Sequence, residues 1–247
     1  MSGHSKWSTI KRKKGANDAK RGKIFTKIIK EIMIAAREGG GDPETNAGLR
    51  LAVQNAKGAN MPKDNIERAI KKAVGADAYS YVETSFEGYA PGGIAIFAEC
   101  LTDNNNRTVA TVRSLFNKHG GKLGTNGSLS SLFDRKGIFT VKNEGFSSED
   151  LELELIDAGA QDFEVDGETI TITCAREDFG SVNKMLNELG IEPEEAGLKR
   201  IPNTTKTLDL ESSKKVLRFV ESLEDDDDIQ NVYHNLEITD ELAAELE

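Results

Sequence analysis

Residues 163–174 of this chain, FEVDGETITITC, decide its fold. Phe163–Val165 and Ile170–Cys174 are two segments in which apolar and polar residues alternate, a pattern typical of half-buried strands. Asp166-Gly167 lies between them, and Asp-Gly is a favoured two-residue turn in antiparallel hairpins. The sequence therefore predicts a hairpin here, with one face of both strands turned towards a core.

Helical patterns lie on both sides of this hairpin. A helix is predicted over Glu149–Ala158, before Gly159, and a second one carries Phe179, Val182, Met185, Leu186 and Leu189 before Gly190. Strands are predicted at Ile138–Val141 and around Leu198–Ile201. The order is strand, helix, strand, strand, helix, strand, which is the ferredoxin-like order of an antiparallel sheet with two helices on one face.

The segments that flank this unit predict one further α+β domain, interrupted by the insertion. Its first half has strands at Ser85–Tyr89 and Ile94–Leu101, a helix over Thr108–Lys118 and a strand around Leu129–Phe133. Its second half has a helix that carries Val216, Leu217, Val220 and Leu223, followed by a strand that carries Val232, His234 and Leu236.

The N-terminal third predicts three helices. The first has apolar residues at helical spacing from Ile24 to Ala36 and ends at Gly39-Gly40-Gly41. Asp42-Pro43 predicts the start of the second helix, since Asp is a good N-cap and Pro suits the first helical turn. The third follows Pro62. We therefore expect an α+β multidomain protein: a three-helix domain at residues 1–77, an α+β domain at 78–135 and 204–247, and a second, ferredoxin-like α+β domain inserted at 136–203.

Charge is distributed unevenly along the chain. The net charge is −10, yet residues 1–74 carry 17 Lys and Arg against 7 Asp and Glu, and residues 75–247 carry 15 against 35. Residues 1–30 alone contain ten basic side chains and one acidic one, Asp18. Such an asymmetry indicates a nucleic acid or another anionic surface as the partner of the N-terminus.

The basic N-terminus is the main candidate site, because Lys and Arg neutralise phosphates and release counterions on binding. Trp7 adds a surface on which a base can stack. A solvated tail that serves only solubility is the alternative interpretation. The candidate nucleic-acid-binding residues are Lys6, Trp7, Lys11, Arg12, Lys13, Lys14, Lys20, Arg21, Lys23, Lys27 and Lys30.

A polar segment between the predicted strand and the predicted helix of the interrupted domain has two interpretations. One of its side chains is expected to cap the helix N-terminus, which Asp and Asn do well. The alternative is a second contact loop for RNA or the ribosome. The residues concerned are Asp103, Asn104, Asn105, Asn106 and Arg107.

Sequence patterns of other function classes are missing. Gly120-Gly121-Lys122 lacks the remaining residues of a phosphate-binding loop, and the three histidines form no pattern typical of a metal site or a nucleophile. We interpret the acidic run 224–228 as a solvated turn rather than a calcium loop, and Cys100 and Cys174 as reduced core residues. We expect a cytoplasmic monomer with no enzymatic activity, cofactor, metal, small-molecule substrate or membrane contact.

Several long motifs resemble one known family. The chain is similar to the YebC/PmpR family in Gly3-His4-Ser5-Lys6-Trp7, in Asp18–Lys27 and in Asn60–Ile70, and further similarities continue to Val232-Tyr233-His234-Asn235. The resemblance implies a three-domain protein, helical at its N-terminus and α+β beyond it, of the kind described as a probable DNA-binding transcriptional regulator. Relatives in mitochondria are translational activators for cytochrome oxidase, and bacterial members are linked to the ribosome.

Two functions therefore remain open. One is a DNA-binding transcriptional regulator, and the alternative is a ribosome-associated translation factor that binds ribosomal RNA. The sequence contains no zinc finger, no basic leucine zipper and no helix-turn-helix pattern strong enough to identify a base-reading element. Charge alone does not distinguish DNA from RNA.

Overall fold

The computed structural model describes residues 18–75, 80–143 and 149–246. The helices in this part of the chain are α1 (Asp18–Gly39), α2 (Ala47–Gly58), α3 (Lys63–Ala73), α4 (Asn105–Lys118), α5 (Glu149–Asp157), α6 (Phe179–Glu188), α7 (Leu210–Glu224) and α8 (Asp240–Leu246). The strands are β1 (Val82–Ala90), β2 (Ile94–Thr102), β3 (Lys122–Leu123), β4 (Phe133–Lys142), β5 (Ala160–Asp166), β6 (Thr169–Ala175), β7 (Glu195–Pro202) and β8 (Ile229–His234). None of the described helices is both long and apolar enough to cross a membrane.

The three N-terminal helices are confirmed, but the predicted start of α2 is wrong. Asp42 accepts backbone hydrogen bonds from Thr45 and Asn46 in a turn, and the helix begins only at Ala47. Its N-cap is Asn46, whose side chain accepts from the Leu49 N–H at 3.0 Å. The Asn46 side chain also donates to the Ala35 carbonyl of α1. This second bond connects the cap to the preceding helix, a benefit that Asp42 lacks.

The first sheet has the strand order β3-β1-β2-β8. Its pairings β1–β2, β1–β3 and β2–β8 are all antiparallel. Helices α4, α7 and α8 cover one face and share a core with it, in which Ile96, Phe116 and Phe219 are completely buried. On the other face, Phe97 and Tyr233 pack with Leu129 and Phe133.

The second sheet has the strand order β5-β6-β4-β7, which is the ferredoxin-like order. The predicted hairpin is confirmed: Phe163 is opposite Ile172, and Val165 is opposite Ile170. Helices α5 and α6 contribute Leu155 and Leu186 to the core on one face of the sheet. The α+β fold class is therefore confirmed.

The predicted strand at Leu129–Phe133 is wrong in its position. Residues 127–132 form turns, and the strand starts at Phe133 and continues without interruption to Lys142. The segment that the sequence divides between two domains is thus one strand. Leu129 is nevertheless buried. Because it is an apolar residue at a buried position, the spacing of apolar residues around it resembles that of a strand.

The described residues divide into two compact units. One contains those of Met1–Lys27, Tyr79–Asp134 and Ile201–Glu247, and the other contains those of Ile28–Ala78 and Arg135–Arg200. The three-domain division remains a prediction from the sequence.

Candidate nucleic-acid interface

Much of the predicted basic site lies outside the described residues. This applies to Lys6, Trp7, Lys11, Arg12, Lys13 and Lys14, and also to the side chain of Lys20. The structure places the four remaining candidates, Arg21, Lys23, Lys27 and Lys30, on α1.

Arg21 is the most exposed of these four side chains. Its guanidinium carbon lies 5.5 Å from the centroid of the Phe25 ring, a cation–π distance that holds the cation near the helix surface. The arginine is exposed to solvent. Because a guanidinium stacked in this way keeps N–H donors at its edge, Arg21 is suited to a phosphate contact.

Lys23 and Lys27 contact the end of another helix in the same compact unit. The Lys27 ammonium donates to the carbonyl of Glu224, the last residue of α7, at 2.9 Å. The Lys23 ammonium lies 2.8 Å from a carboxylate oxygen of Asp225. Cations at a helix C-terminus offset the partial negative charge of its carbonyls, so both lysines have a structural role in this position.

Lys30 is only 6% exposed. Lys23, Lys27 and Lys30 follow one another at intervals of four and three residues, so they share one side of α1. Lys23 and Lys27 are partly exposed on this side of the helix, whereas Lys30 is buried.

The polar loop 103–107 caps α4, as one of its two interpretations predicts. Asn104 is the N-cap, and its side-chain oxygen accepts from the Arg107 N–H at 3.1 Å. Asn105 and Asn106 are exposed in the first turn of the helix. The second interpretation, a contact loop, stays a prediction.

Asp228 is the centre of a polar network that sequence reasoning did not identify. One of its carboxylate oxygens accepts from the Arg107 guanidinium at 2.7 and 3.1 Å. The hydroxyl oxygens of Thr102 and Thr108 lie 3.2 and 3.0 Å from the same oxygen. Asp228 is 6% exposed, so the interpretation of the whole acidic run as a solvated turn is wrong for its last member. No local pattern in the sequence distinguishes Asp228 from the other acids of the run.

Arg107 is fully compensated by carboxylates. Besides the Asp228 contacts, it donates to Asp103 at 2.8 Å. Hydrogen bonds to Asp228 and then to Asp103 raise the pKa of the Arg107 guanidinium above its ordinary value. This arginine is therefore always charged, and two acids accept from its Nε and Nη2 atoms, which weakens its case as a phosphate contact.

Burial shifts the pKa of three further groups of this unit, namely Cys100, His234 and His119. Burial raises the pKa of the Cys100 thiol to about 12 and lowers the pKa of His234 to about 4. His119 stacks on Phe219 at 5.1 Å between ring centroids, and burial also lowers the pKa of His119. Cys100 and Cys174 are free and buried, as the sequence predicted. Within residues 18–75, 80–143 and 149–246, no three His, Cys, Asp or Glu residues are grouped so as to hold a metal ion.

Helices α2 and α3 form a second candidate element. They are joined by four residues, 59–62, in which Asn60 has the left-handed φ of 57°. A four-residue turn between two helices is typical of helix-turn-helix units. Four basic residues lie on α3, namely Lys63, Arg68, Lys71 and Lys72. Of these, Lys63 is paired with Glu67 at 3.4 Å, and Arg68 donates to the Asp64 carbonyl.

Comparisons with known proteins cover nearly the whole chain. A family model described as the TACO1/YebC protein N-terminal domain matches residues 5–76, and one described as the TACO1/YebC second and third domain matches residues 81–236. A probable transcriptional regulatory protein of Rubrobacter xylanophilus is 51% identical over 248 residues, which cover 100% of this chain and 99% of the relative. A protein of the same name from Treponema denticola is 52% identical, over 96% of this chain and 97% of the relative.

A solved structure is similar as well. The crystal structure of a conserved hypothetical protein from Aquifex aeolicus has a TM-score of 0.81 and 43% sequence identity. The match covers 89% of this chain and 91% of that one.

Proposed function

Because the chain belongs to the TACO1/YebC family, we propose that it is a regulator of gene expression that binds nucleic acid through its basic N-terminus. Its relatives carry the name probable transcriptional regulatory protein, which supports DNA as the first candidate ligand. The proposed site of action is the cytoplasm, and the proposal includes no catalytic step.

The observation that carries the proposal is the charge of residues 1–30. The ten basic residues and one acidic residue of this segment produce a positive local potential. The acidic remainder of the chain reduces this potential only slightly, because physiological salt screens charges beyond about 8 Å. Binding of phosphates by such a segment gains free energy from the release of counterions. Solubility alone requires no such segment on a chain of net charge −10.

The candidate cations divide into two groups under this proposal. We assign the phosphate contacts mainly to Lys6, the basic run 11–14, Lys20 and Arg21. We assign Lys23, Lys27 and Lys30 to the structure, because the first two contact the end of α7 and the third is buried. Trp7 is proposed to stack on an exposed base.

Salt-dependent binding tests the proposal. The full chain is titrated against a labelled DNA duplex and a labelled structured RNA between 50 and 200 mM salt, a range over which about six phosphate contacts change affinity roughly a thousandfold. The test variant replaces Lys11, Arg12, Lys13 and Lys14 with Gln. We expect this variant to flatten the salt dependence of duplex binding by about 0.9 for each phosphate that it no longer neutralises.

A matched control has the same composition. Lys118, Lys122, Lys215 and Arg218 are three lysines and one arginine, all exposed and all in the acidic part of the chain, and their replacement with Gln should leave the slope unchanged. Equal slopes for wild type and the test variant would remove the basic N-terminus as the phosphate-binding site.

The choice between DNA and RNA requires crosslinking in cells, followed by sequencing of the recovered nucleic acid. The helix pair α2–α3, with its four-residue turn, favours duplex DNA. Recovery of promoter DNA supports the transcriptional form of the proposal. Recovery of ribosomal RNA, with co-sedimentation on ribosomes at low salt, supports a ribosome-associated translation factor instead.

A further inference from the structure

A second charged surface lies far along the sequence from the basic N-terminus. Residues 143–175 contain ten Asp and Glu and neither Lys nor Arg. This segment comprises α5, β5 and β6. Its net charge of −10 equals that of the entire chain. An acidic surface without interspersed cations repels phosphates, so nucleic acids and anionic membranes are poor ligands for it.

Apolar side chains are exposed on the same segment. Leu153 and Ile156 of α5 are 58% and 50% exposed, and Val165 of β5 is 62% exposed. They are three of only seven large hydrophobic residues that the described part of the chain exposes in this way. Single exposed apolar residues are ordinary, but several on neighbouring elements indicate an interaction site.

The exposed residues of α5 are not the ones that form the core. Leu155 is completely buried, and Leu151 packs partly buried against the same cluster. Leu151 and Leu155 are separated by four residues and thus share the inner side of the helix, whereas Leu153 and Ile156, separated by three, share another side. Helix α5 therefore has a second apolar stripe, which the fold of its own domain does not use.

Val165 belongs to the same side of the sheet as α5. It is opposite Ile170, and Phe163 is opposite Ile172. Residues directly opposite each other in an antiparallel pair point to the same face, and Ile170 and Ile172 lie in the core that α5 covers. Strand β5 is moreover at the edge of its sheet. We define the α5–β5 surface as Leu153, Ile156 and Val165 with the exposed acids Glu152, Glu154 and Asp157.

We propose that the α5–β5 surface binds a cationic segment of a partner protein, whose apolar side chains pack on Leu153 and Ile156 while its lysines or arginines pair with the surrounding acids. Charge complementarity determines the class of partner. A second copy docked through the same surface would oppose two segments of net charge −10, which is unfavourable. A neutral apolar segment would leave the acids uncompensated. Only a segment that is both basic and partly apolar pairs with the acids and also packs on the exposed apolar side chains.

The test uses the full chain and two labelled synthetic peptides of 17 residues. The first has leucines at helical spacing among lysines, and the second has serines in place of the leucines with the same charge. We expect wild type to bind the leucine peptide at least tenfold more tightly than the serine peptide. Leu153→Ser combined with Ile156→Ser should abolish this preference, with the far-ultraviolet circular dichroism unchanged because both side chains are exposed.

Val82→Ser is the matched control, since Val82 is 47% exposed in the other compact unit, and this variant should keep the preference. Equal binding of both peptides to wild type, or a preference retained by the double variant, would overturn the proposal. The assay contains no nucleic acid, so its result is independent of the function proposed above.

The chain's own basic N-terminus is the competing occupant. Zero-length carbodiimide crosslinking joins a carboxylate directly to an amine, and it is applied to the protein alone. Crosslinks from Glu152 or Glu154 to Lys6, Lys11, Lys13 or Lys14 would assign the surface to this chain and overturn a partner protein. Their absence, with crosslinks to the leucine peptide when it is added, supports the proposal.

Discussion

At the scale of single residues, one buried carboxylate organises the polar end of the first sheet. Asp228 compensates the charge of Arg107 and receives hydrogen-bond partners from two buried threonines, Thr102 and Thr108. Its backbone carbonyl also accepts from the Leu101 N–H at 2.8 Å. A buried charge is tolerated only when it is paired and hydrogen-bonded in this way.

Asp228→Asn tests this role. The change keeps the volume but removes the negative charge, so Arg107 and the two hydroxyls face a neutral amide, whose single oxygen is a weaker acceptor than the carboxylate. Because half of the Arg107 side chain is exposed to water, we expect a loss in the free energy of unfolding of about 1–2 kcal/mol, below the usual effect of breaking a fully buried pair. Urea unfolding at neutral pH measures it. Asp227→Asn, an exposed neighbour in the same run, should change stability by less than about 0.5 kcal/mol.

His234 makes the stability of the protein depend on pH. Burial lowers the pKa of His234 from 6.5 to about 4 in the folded chain. Between these two values the unfolded chain binds the additional proton. The free energy of unfolding should therefore fall as the pH drops from 6.5 towards 4, by at most about 1.4 kcal/mol per pH unit from this group. Above pH 6.5 its contribution is fully present.

Unfolding curves of wild type and His234→Gln across this pH range provide the measurement. The variant should show a shallower decline than wild type. Burial also lowers the pKa of His119, so His119→Gln is the control. Because His234 is unchanged in this variant, the part of the decline in stability that His234 causes should remain. An identical decline in wild type and His234→Gln would show that other groups carry the pH dependence.

At the scale of elements, hydrogen bonds to the buried side chain of Glu87 hold the segment 124–132 against the sheet, although this segment forms no strand. Glu87 of β1 is 4% exposed and accepts from the Gly127 N–H at 2.7 Å and the Leu129 N–H at 2.6 Å. These bonds hold the turn against the sheet and bury Leu129 beside Phe133. The spacing of apolar residues predicted a strand at Leu129 where the chain forms a turn. The role of Glu87 was hidden, since nothing local distinguishes a buried carboxylate from an exposed one.

Glu87→Gln should loosen this turn. The amide keeps one acceptor oxygen but presents N–H donors in place of the other, so one of the two backbone donors loses its acceptor, which costs about 1–3 kcal/mol. Hydrogen exchange is the direct measurement, with faster exchange expected at the amides of Gly127 and Leu129. Glu83→Gln, on the same strand but exposed, should leave both exchange rates unchanged. Protection of these amides in Glu87→Gln would show that packing of Leu129 alone holds the turn.

At the scale of the whole molecule, the prediction of the second sheet is confirmed, whereas the basic site stays a prediction. Periodicity and the Asp-Gly turn are local signals, and they located β5, β6 and both helices of that sheet. The roles of Lys23 and Lys27 depend on contacts between segments roughly 200 positions apart in the sequence, such as Lys27 and Glu224, whose residue numbers differ by 197. Charge composition does not distinguish Lys23 and Lys27, which contact the end of another helix, from cations that are exposed to solvent.

This difference can be measured within α1, on two cations six residues apart. Lys27→Gln removes the donor to the end of α7, so it should lower the free energy of unfolding by about 0.5–1.5 kcal/mol and leave affinity for nucleic acid within about twofold. Arg21→Gln removes an exposed cation. Under the proposed function it should weaken binding and reduce the salt dependence for duplex DNA by about 0.9, the value for one phosphate. Its cost in stability should not exceed about 1 kcal/mol, the value of an exposed cation–π contact. Urea unfolding and fluorescence anisotropy on both variants separate the two roles. A Lys27 variant of normal stability with weakened binding would instead place Lys27 on a phosphate, and the α1–α7 contact would then be dispensable for folding.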